Sequence, residues 1–243
     1  MQLVIDIGNT MIKSYVFEND HIIASEKDFI NNWNRLLKEI LISYPKVEKA
    51  IISDVNLTFS KELNELLGKI HIIHCSLALN LPFQTLYEPR THLGADRIAL
   101  LASCFLHYPN KSILIIDLGS CITYDLIDSE GIHQGGSISP GFSMRYKSLN
   151  DYSGALPLLD FKKLNDPIGI STEEAMHSGV YYGILNELSG IIKWHHNKMD
   201  DLMVILTGGD AERLPKSFKN SIFESSNFLA KGLNFILKLN SIS

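Results

Sequence analysis

Cysteine is scarce and does not pair up: Cys75, Cys104 and Cys121 are odd in number, far apart, and include no Cys-x-x-Cys spacing. Such a set supplies neither a disulfide framework nor a structural zinc site and points to a reducing compartment. Long apolar runs are missing as well, since none approaches the ~18 residues of a membrane helix. The N-terminus has neither the basic region, the apolar stretch nor the small-residue cleavage site of a secretory signal. An excess of positive charge is also lacking: 22 Lys and Arg stand against 27 Asp and Glu, net -5, the wrong sign for a nucleic-acid partner. The 9 histidines are scattered. The adjacent pair His195-His196 leans toward different faces of a predicted helix rather than sitting at ligand spacing, so the histidines read as surface or core residues. These absences predict a cytoplasmic, soluble protein that binds neither membrane nor nucleic acid.

The most telling feature is a short acidic-glycine signature that occurs twice, Asp6-Ile7-Gly8-Asn9-Thr10 and Asp117-Leu118-Gly119-Ser120. Each follows an apolar run, Leu3-Val4-Ile5 and Ile113 to Ile116, so each reads as a buried strand ending in a tight turn. Glycine lets the backbone approach a phosphate, neighbouring amides and hydroxyls donate to it, and the aspartate suits the cation that phosphates require. A plain hairpin turn would account for Gly8-Asn9 alone. A third glycine turn, Thr207-Gly208-Gly209-Asp210, again follows a strand, and three such coincidences favour a duplicated nucleotide-phosphate site.

The elements predicted around these turns also repeat. Met11 to Glu18 and His21 to Ser25 complete a three-stranded meander; a helix over Asn31 to Ser43, a strand over Val47 to Val55, a helix over Thr58 to Leu67 and a strand over Ile70 to His74 follow. In the second half, strands over Ser112 to Asp117, Cys121 to Ile127 and Ile132 to Ser139 precede helices over Phe142 to Tyr152 and Thr172 to Asn197. A strand over Leu202 to Leu206 and a helix over Asn227 to Leu239 close the chain. The fold class is therefore α/β: a ribonuclease H-like plan used twice, as in actin, the sugar kinases and acetate kinase, with a nucleotide cleft between the copies. In a chain of 243 residues the halves fall at 1–110 and 111–243, joined near Tyr108 to Ser112. Trp33, Trp194 and Cys104 lie at apolar helical spacing and are predicted to pack in the core. Arg145 suits the surface and a site equally, and the segment Asp151 to Gly169 suits a mobile connection or a dimer contact.

Gly94-Ala95-Asp96-Arg97 opens an apolar helix. An acidic residue suits the positive end of any helix dipole, so a plain helix start explains it in isolation. In the order Asp-x-Gly-Asn-Thr-x-x-Lys (Asp6 to Lys13), Gly-Ala-Asp-Arg, Asp-x-Gly-Ser, Gly-Gly-x-Ile-x-Pro-Gly (Gly135 to Gly141) and Ser-Thr-x-x-Ala (Ser171 to Ala175), however, the chain resembles the type III pantothenate kinases over nearly its whole length. Two departures are Ser120-Cys121 where that family more often has Thr-Ala, and Pro89 one place early.

The resemblance implies ATP-dependent phosphorylation of pantothenate to 4′-phosphopantothenate, the first step toward coenzyme A, by a homodimer. It also implies the site. Asp6, Ile7, Gly8, Asn9, Thr10, Met11, Ile12 and Lys13 resemble the first phosphate loop, with Asp6 as an indirect Mg²⁺ ligand. Asp96 resembles the general base; Tyr87, Gly94, Ala95, Asp96, Arg97 and Thr172 resemble the pantothenate contacts, with Thr172 reaching across a dimer interface. Asp117 resembles the ligand of K⁺ or NH₄⁺, and Ser120 an ATP contact. Two rivals stay open: another small-molecule kinase of the same superfamily, and a non-enzymatic regulatory relative.

Overall fold

The apolar runs ahead of the two Asp-x-Gly turns become the central strands of two sheets. The computed structural model describes residues 1–54, 60–68, 70–215, 218, 221–224 and 227–241. In chain order the elements are β1 (Gln2–Ile7), β2 (Met11–Glu18), β3 (His21–Phe29), α1 (Trp33–Ser43), β4 (Lys49–Asp54), α2 (Ser60–Leu67), β5 (His71–His74), β6 (Gln84–Thr85) and α3 (Ala95–His107). There follow β7 (Ser112–Leu118), β8 (Cys121–Ile127), β9 (Ile132–Pro140), α4 (Phe142–Tyr152), α5 (Thr172–His196), β10 (Leu202–Thr207), β11 (Ile222–Phe223) and α6 (Asn227–Leu239). The chain divides into two units: Met1–Asn110 with Glu130–Gln134 and the C-terminal helix, and Lys111–Ser129 with Gly135–Ser225.

In the first unit the strand order is β3-β2-β1-β4-β5. β1 pairs antiparallel with β2 and parallel with β4, and β5 runs parallel to β4. Leu3, Val4 and Ile5 are wholly buried because both faces of β1 are covered. Leu3, Ile5 and Ile7 pack with Leu36, Leu37 and Ile40 of α1 and Leu63 and Leu67 of α2. The other face receives α3 and α6. Those two helices cross so closely at Gly232 that a Cβ there would run into the Ala99 carbonyl. Ser103 Oγ also donates to the Phe228 carbonyl. Sequence order assigns the C-terminal helix to the second half, but it packs in the first unit, where an apolar face of α3 needs cover.

β3 runs on to Phe29 rather than ending at Ser25. As an edge strand it is largely exposed, so Glu26 and Lys27 enter it facing solvent, while Asp28 is held by hydrogen bonds from Asn32 and Arg35; such charges suit an edge. α2 begins at Ser60; the predicted ends at Val55 and Thr58 lie outside the described residues.

In the second unit the order is β11-β10-β7-β8-β9. Read from the meander outward, it matches the first: three antiparallel strands, then two parallel to the central one. Leu114, Ile116 and Leu118 of β7 pack with Phe142 and Tyr146 of α4 and Val180, Tyr181, Ile184 and Leu188 of α5. β9 starts in the first unit, where Ile132 and His133 pair with Gln84 and Thr85 of β6. Cys104 is fully buried, and Trp33 packs against the first core. Trp194 is not core: it is 53% exposed near the end of α5, with the Lys198 ammonium 3.9 Å from its ring centre. The segment after α4 is tied to α5 rather than loose. Tyr182 Oη donates to the Leu164 carbonyl at 3.3 Å, Ser178 Oγ to the Pro167 carbonyl, and the Ile170 amide to Glu174 Oε2 at 2.9 Å.

Candidate active site

Because strand register fixes which side chains share a face, the penultimate residue of each central strand heads a row. In the first unit Asp6 faces Lys13 of β2 and Ser53 of β4. The Cys75 amide donates to the Ile52 carbonyl at 2.8 Å, extending β5 so that Cys75 continues the row. Burial pushes the Asp6 carboxyl up from 3.8 to about 6; Lys13 pulls it down and Asp96 pushes it further up. Ser53 Oγ is buried and closes no hydrogen bond of good geometry, although it lies beside that carboxylate.

α3 starts above this row. Gly94 caps it, and Asp96 in its first turn accepts a hydrogen bond at Oδ1 from the Arg97 amide at 2.8 Å. A Cβ on Gly94 would collide with that same oxygen and oblige the carboxylate to turn away from this position. Cys75 Sγ donates to the Ala95 carbonyl at 3.5 Å. Burial, with Asp96 and Asp6 nearby, holds the Cys75 thiol well above its ordinary range, making it an inert tether rather than a nucleophile. Arg97 is only 3% exposed. Its guanidinium carbon sits 5.0 Å from the centre of the Tyr87 ring, and Nη1 donates to Tyr87 Oη at 3.4 Å. Asp6, Lys13, Tyr87, Gly94, Asp96 and Arg97 are thus gathered in one unit.

The matching row in the second unit differs in charge. Asp117 faces Thr123 of β8 and Thr207 of β10, two hydroxyls where Asp6 has a lysine and a serine. One glycine closes in on Asp117 and another on the turn that follows it. Gly208 has φ +96°, and a Cβ there would meet the Asp117 carboxylate and the Leu118 backbone. A Cβ on Gly141 would strike the carbonyls of Gly119 and Ser120, and the Gly141 amide donates to Ser120 O at 3.0 Å. The Asp210 amide donates to the Leu118 carbonyl at 2.9 Å, bringing the third glycine turn onto the second signature.

Arg145, open between surface and site in the sequence, lies in a network. Its Nε donates to the Pro140 carbonyl at 2.8 Å, and its Nη2 pairs with Glu187 Oε2. Glu187 Oε1 accepts from Tyr124 Oη at 2.6 Å and Ser139 Oγ at 2.5 Å. Burial works to raise the Glu187 carboxyl, but the hydrogen bonds from Ser139, Tyr124 and Arg145 outweigh it and hold the group below its ordinary range. One carboxylate thereby fastens β8, β9, α4 and α5, and through Pro140-Gly141 it braces the loop at Ser120.

Among the other predicted residues, Asn9 and Thr10 are exposed in the first turn, where the Gly8 amide donates to the Met11 carbonyl at 3.0 Å. Thr172 is exposed on the first turn of α5, just after the cap at Ser171, whose Oγ accepts from the Glu174 amide at 3.2 Å. Its side chain is drawn into neither row by a hydrogen bond among the described residues. Sequence reasoning passed over Ser53, Cys75, Glu187 and His133. The polar Ser53 interrupting the apolar run Ala50-Ile51-Ile52 was a readable signal; the others depend on register and tertiary contact.

Comparison with known proteins supplies a family. The family model for type III pantothenate kinase matches residues 2–194. The chain is similar to the type III pantothenate kinase of Christiangramia forsetii, 44% identical over 244 residues and covering 99% of both chains. It is similar also to that of Flavobacterium psychrophilum, 39% identical and covering 96% of this chain and 97% of the other. Among solved structures it superposes on the activator of 2-hydroxyisocaproyl-CoA dehydratase from Clostridium difficile with bound ADPNP, at TM-score 0.58 and 12% identity, covering 97% and 93% of the two chains. It superposes likewise on a glucokinase from an Antarctic psychrotroph, at TM-score 0.51 and 12% identity, covering 98% of each. At such identities the structural likeness is one of fold, the duplicated ribonuclease H-like fold of actin and the sugar kinases.

Proposed function

The chain belongs to the type III pantothenate kinase family, and from that premise we propose that it transfers the γ-phosphoryl group of ATP to the primary hydroxyl of pantothenate. The observation that carries the reading is the position of Asp96, in the first turn of α3 and near enough to the Asp6–Lys13 row to raise the Asp6 carboxyl.

In the transfer, Asp96 accepts the hydroxyl proton as the hydroxyl oxygen forms its bond to the γ-phosphorus. The bond from that phosphorus to the β,γ-bridging oxygen breaks, and ADP leaves with the electron pair. Phosphoryl transfer asks the protein mainly for positioning and charge neutralisation. In the first unit Lys13 and the Asp6 to Thr10 turn neutralise the phosphates; Ser120 of the second unit is assigned to ATP from its place in the family's motif. Tyr87, Gly94, Ala95 and Arg97 hold the acceptor.

A hydrated Mg²⁺ would be held at Asp6, where a desolvated carboxylate lies beside the hydroxyl of Ser53, and would supply positive charge to neutralise the phosphates. A monovalent cation, K⁺ or NH₄⁺, fits at Asp117, whose row offers a carboxylate and two hydroxyls, with the absent side chain of Gly208 leaving space at the carboxylate. We also assign the protein to the cytoplasm, and as a homodimer in which Thr172 completes the partner's acceptor pocket. Ile168 and Ile170, 75% and 91% exposed on the segment leading into Thr172, suit burial against a second copy. No described helix is long and apolar enough to cross a membrane.

The test is an ATP-consumption assay with pantothenate as acceptor, run in Na⁺, K⁺ and NH₄⁺. Pantothenate-dependent turnover favoured by K⁺ or NH₄⁺ is expected. Absence of turnover under every cation refutes the activity, and equal turnover in all three refutes the assignment of Asp117.

A further inference from the structure

We propose that His133 is a positioning residue for the acceptor pocket, acting through Tyr87; the inference rests on the reading of Tyr87 and Arg97 as acceptor contacts. Tyr87 lies beyond the two-residue strand β6, next to Leu86, which is 63% exposed. A residue so placed has little regular structure to fix its ring. Three contacts from β9 and its pair make up for this. The Leu86 amide donates to the His133 carbonyl at 3.0 Å, setting the backbone just before Tyr87. Thr85 Oγ1 accepts from the Tyr87 amide at 3.0 Å and is hydrogen-bonded to His133 Nδ1 at 2.8 Å, so one hydroxyl joins both residues. The imidazole, wholly buried, stacks on the Tyr87 ring with centroids 6.1 Å apart and planes 16° from parallel.

The consequence reaches Arg97, whose guanidinium rests on that ring and whose Nη1 donates to the phenol oxygen. Arg97 is buried on a rigid helix, whereas Tyr87 is on a loop; His133 is the buried anchor between the loop and the sheet. A histidine serves here because it combines a flat face for stacking with a ring nitrogen for Thr85. Its first task needs only an aromatic ring and its second only a polar atom at the Nδ1 position, so the two are separable by substitution.

The experiment uses the full-length enzyme, with KM for pantothenate and for ATP measured separately and the melting temperature of every variant recorded. His133→Gln, which removes the stacking face, is expected to raise KM for pantothenate about tenfold while leaving KM for ATP within about twofold. His133→Phe, which keeps that face, is expected to recover most of the loss. Thr85→Val, which breaks the hydroxyl link and spares both rings, is expected to raise KM for pantothenate by about threefold to tenfold. An unchanged KM for pantothenate in folded variants overturns the inference; so does an equal rise for both substrates, or a Phe variant no better than Gln. If His133→Gln does not fold, His133→Phe and Thr85→Val still decide the matter by the same split. A wild-type enzyme without pantothenate-dependent turnover defeats the functional reading instead, an outcome visible before any variant is made.

Discussion

Replacing Asp6 by Asn should make the protein more stable while destroying its activity, and the size of the gain follows from the carboxyl's surroundings. The shift from 3.8 to about 6, at about 1.4 kcal/mol per unit, corresponds to a penalty of about 3 kcal/mol for holding the charge in the fold at neutral pH. Because the residue keeps some exposure, solvent screening reduces this to about 1–2 kcal/mol. The favourable pull of Lys13 is already included, so the net effect of removing the charge is stabilising. The sign is set by linkage. Between pH 3.8 and about 6 the folded chain retains a proton that the unfolded chain has released, so stability falls as pH rises and the penalty is complete above about 6. Asn carries no such penalty. In thermal melts of the apo protein, Asp6→Asn is therefore expected to gain about 2–8 °C at pH 7.5, with the gain shrinking toward zero at pH 4. Kinase turnover in the same preparation should be lost. A variant destabilised at pH 7.5, or one whose melting shift is the same at both pH values, refutes the account of Asp6 as a desolvated charge held for a cation.

Other perturbations probe the remaining parts of the site. Asp96→Asn should lower kcat by about 10²- to 10⁴-fold with nucleotide binding intact by calorimetry; near-normal turnover removes Asp96 from the role of base. Gly208→Ala puts a methyl group against the Asp117 carboxylate at a positive φ, so a loss of about 1–2 kcal/mol from backbone strain alone and a weakened response to K⁺ or NH₄⁺ are expected, read by melting and by cation titration. Glu187→Gln leaves Arg145 without its ion partner and weakens the hold on Tyr124 and Ser139. A destabilisation of about 1–3 kcal/mol by urea unfolding should accompany a higher KM for ATP, and an unchanged KM refutes bracing of the Ser120 loop.

The sequence disclosed those features that depend on local pattern. β2, α4 and α6 fall where periodicity and turn residues put them, and the Asp6 and Asp117 turns end β1 and β7 as predicted. Features made by long-range register were not legible. β6 and β11 have two residues each, too few for any period to show, and exist because β9 and β10 lie alongside them. His133 reads as one scattered histidine until β6 pairs with β9 and brings it under Tyr87. Trp194 misled because apolar spacing on α5 continues past the end of the core. The inequality of the two signatures was visible in Lys13, which has no counterpart after Asp117, but its physical form was not. Only pairing shows that each carboxylate has two cross-strand neighbours, a cation and a hydroxyl for Asp6 and two hydroxyls for Asp117.

The docking of α6 on α3 in the first unit bears on how the molecule is made. Synthesis proceeds from the N-terminus, so β1 to α3 leave the ribosome long before the helix that covers them, and the whole second unit emerges in between. Domains generally fold as units during synthesis, but the first unit is not complete until α6 is available to cover α3 at Ala99 and Ser103. The second unit has no such dependence and is the natural one to complete first. In this enzyme β1 and α3, which carry Asp6 and Asp96 of the proposed chemistry, therefore acquire their full cover only once α6 has been made and Gly232 meets the Ala99 carbonyl.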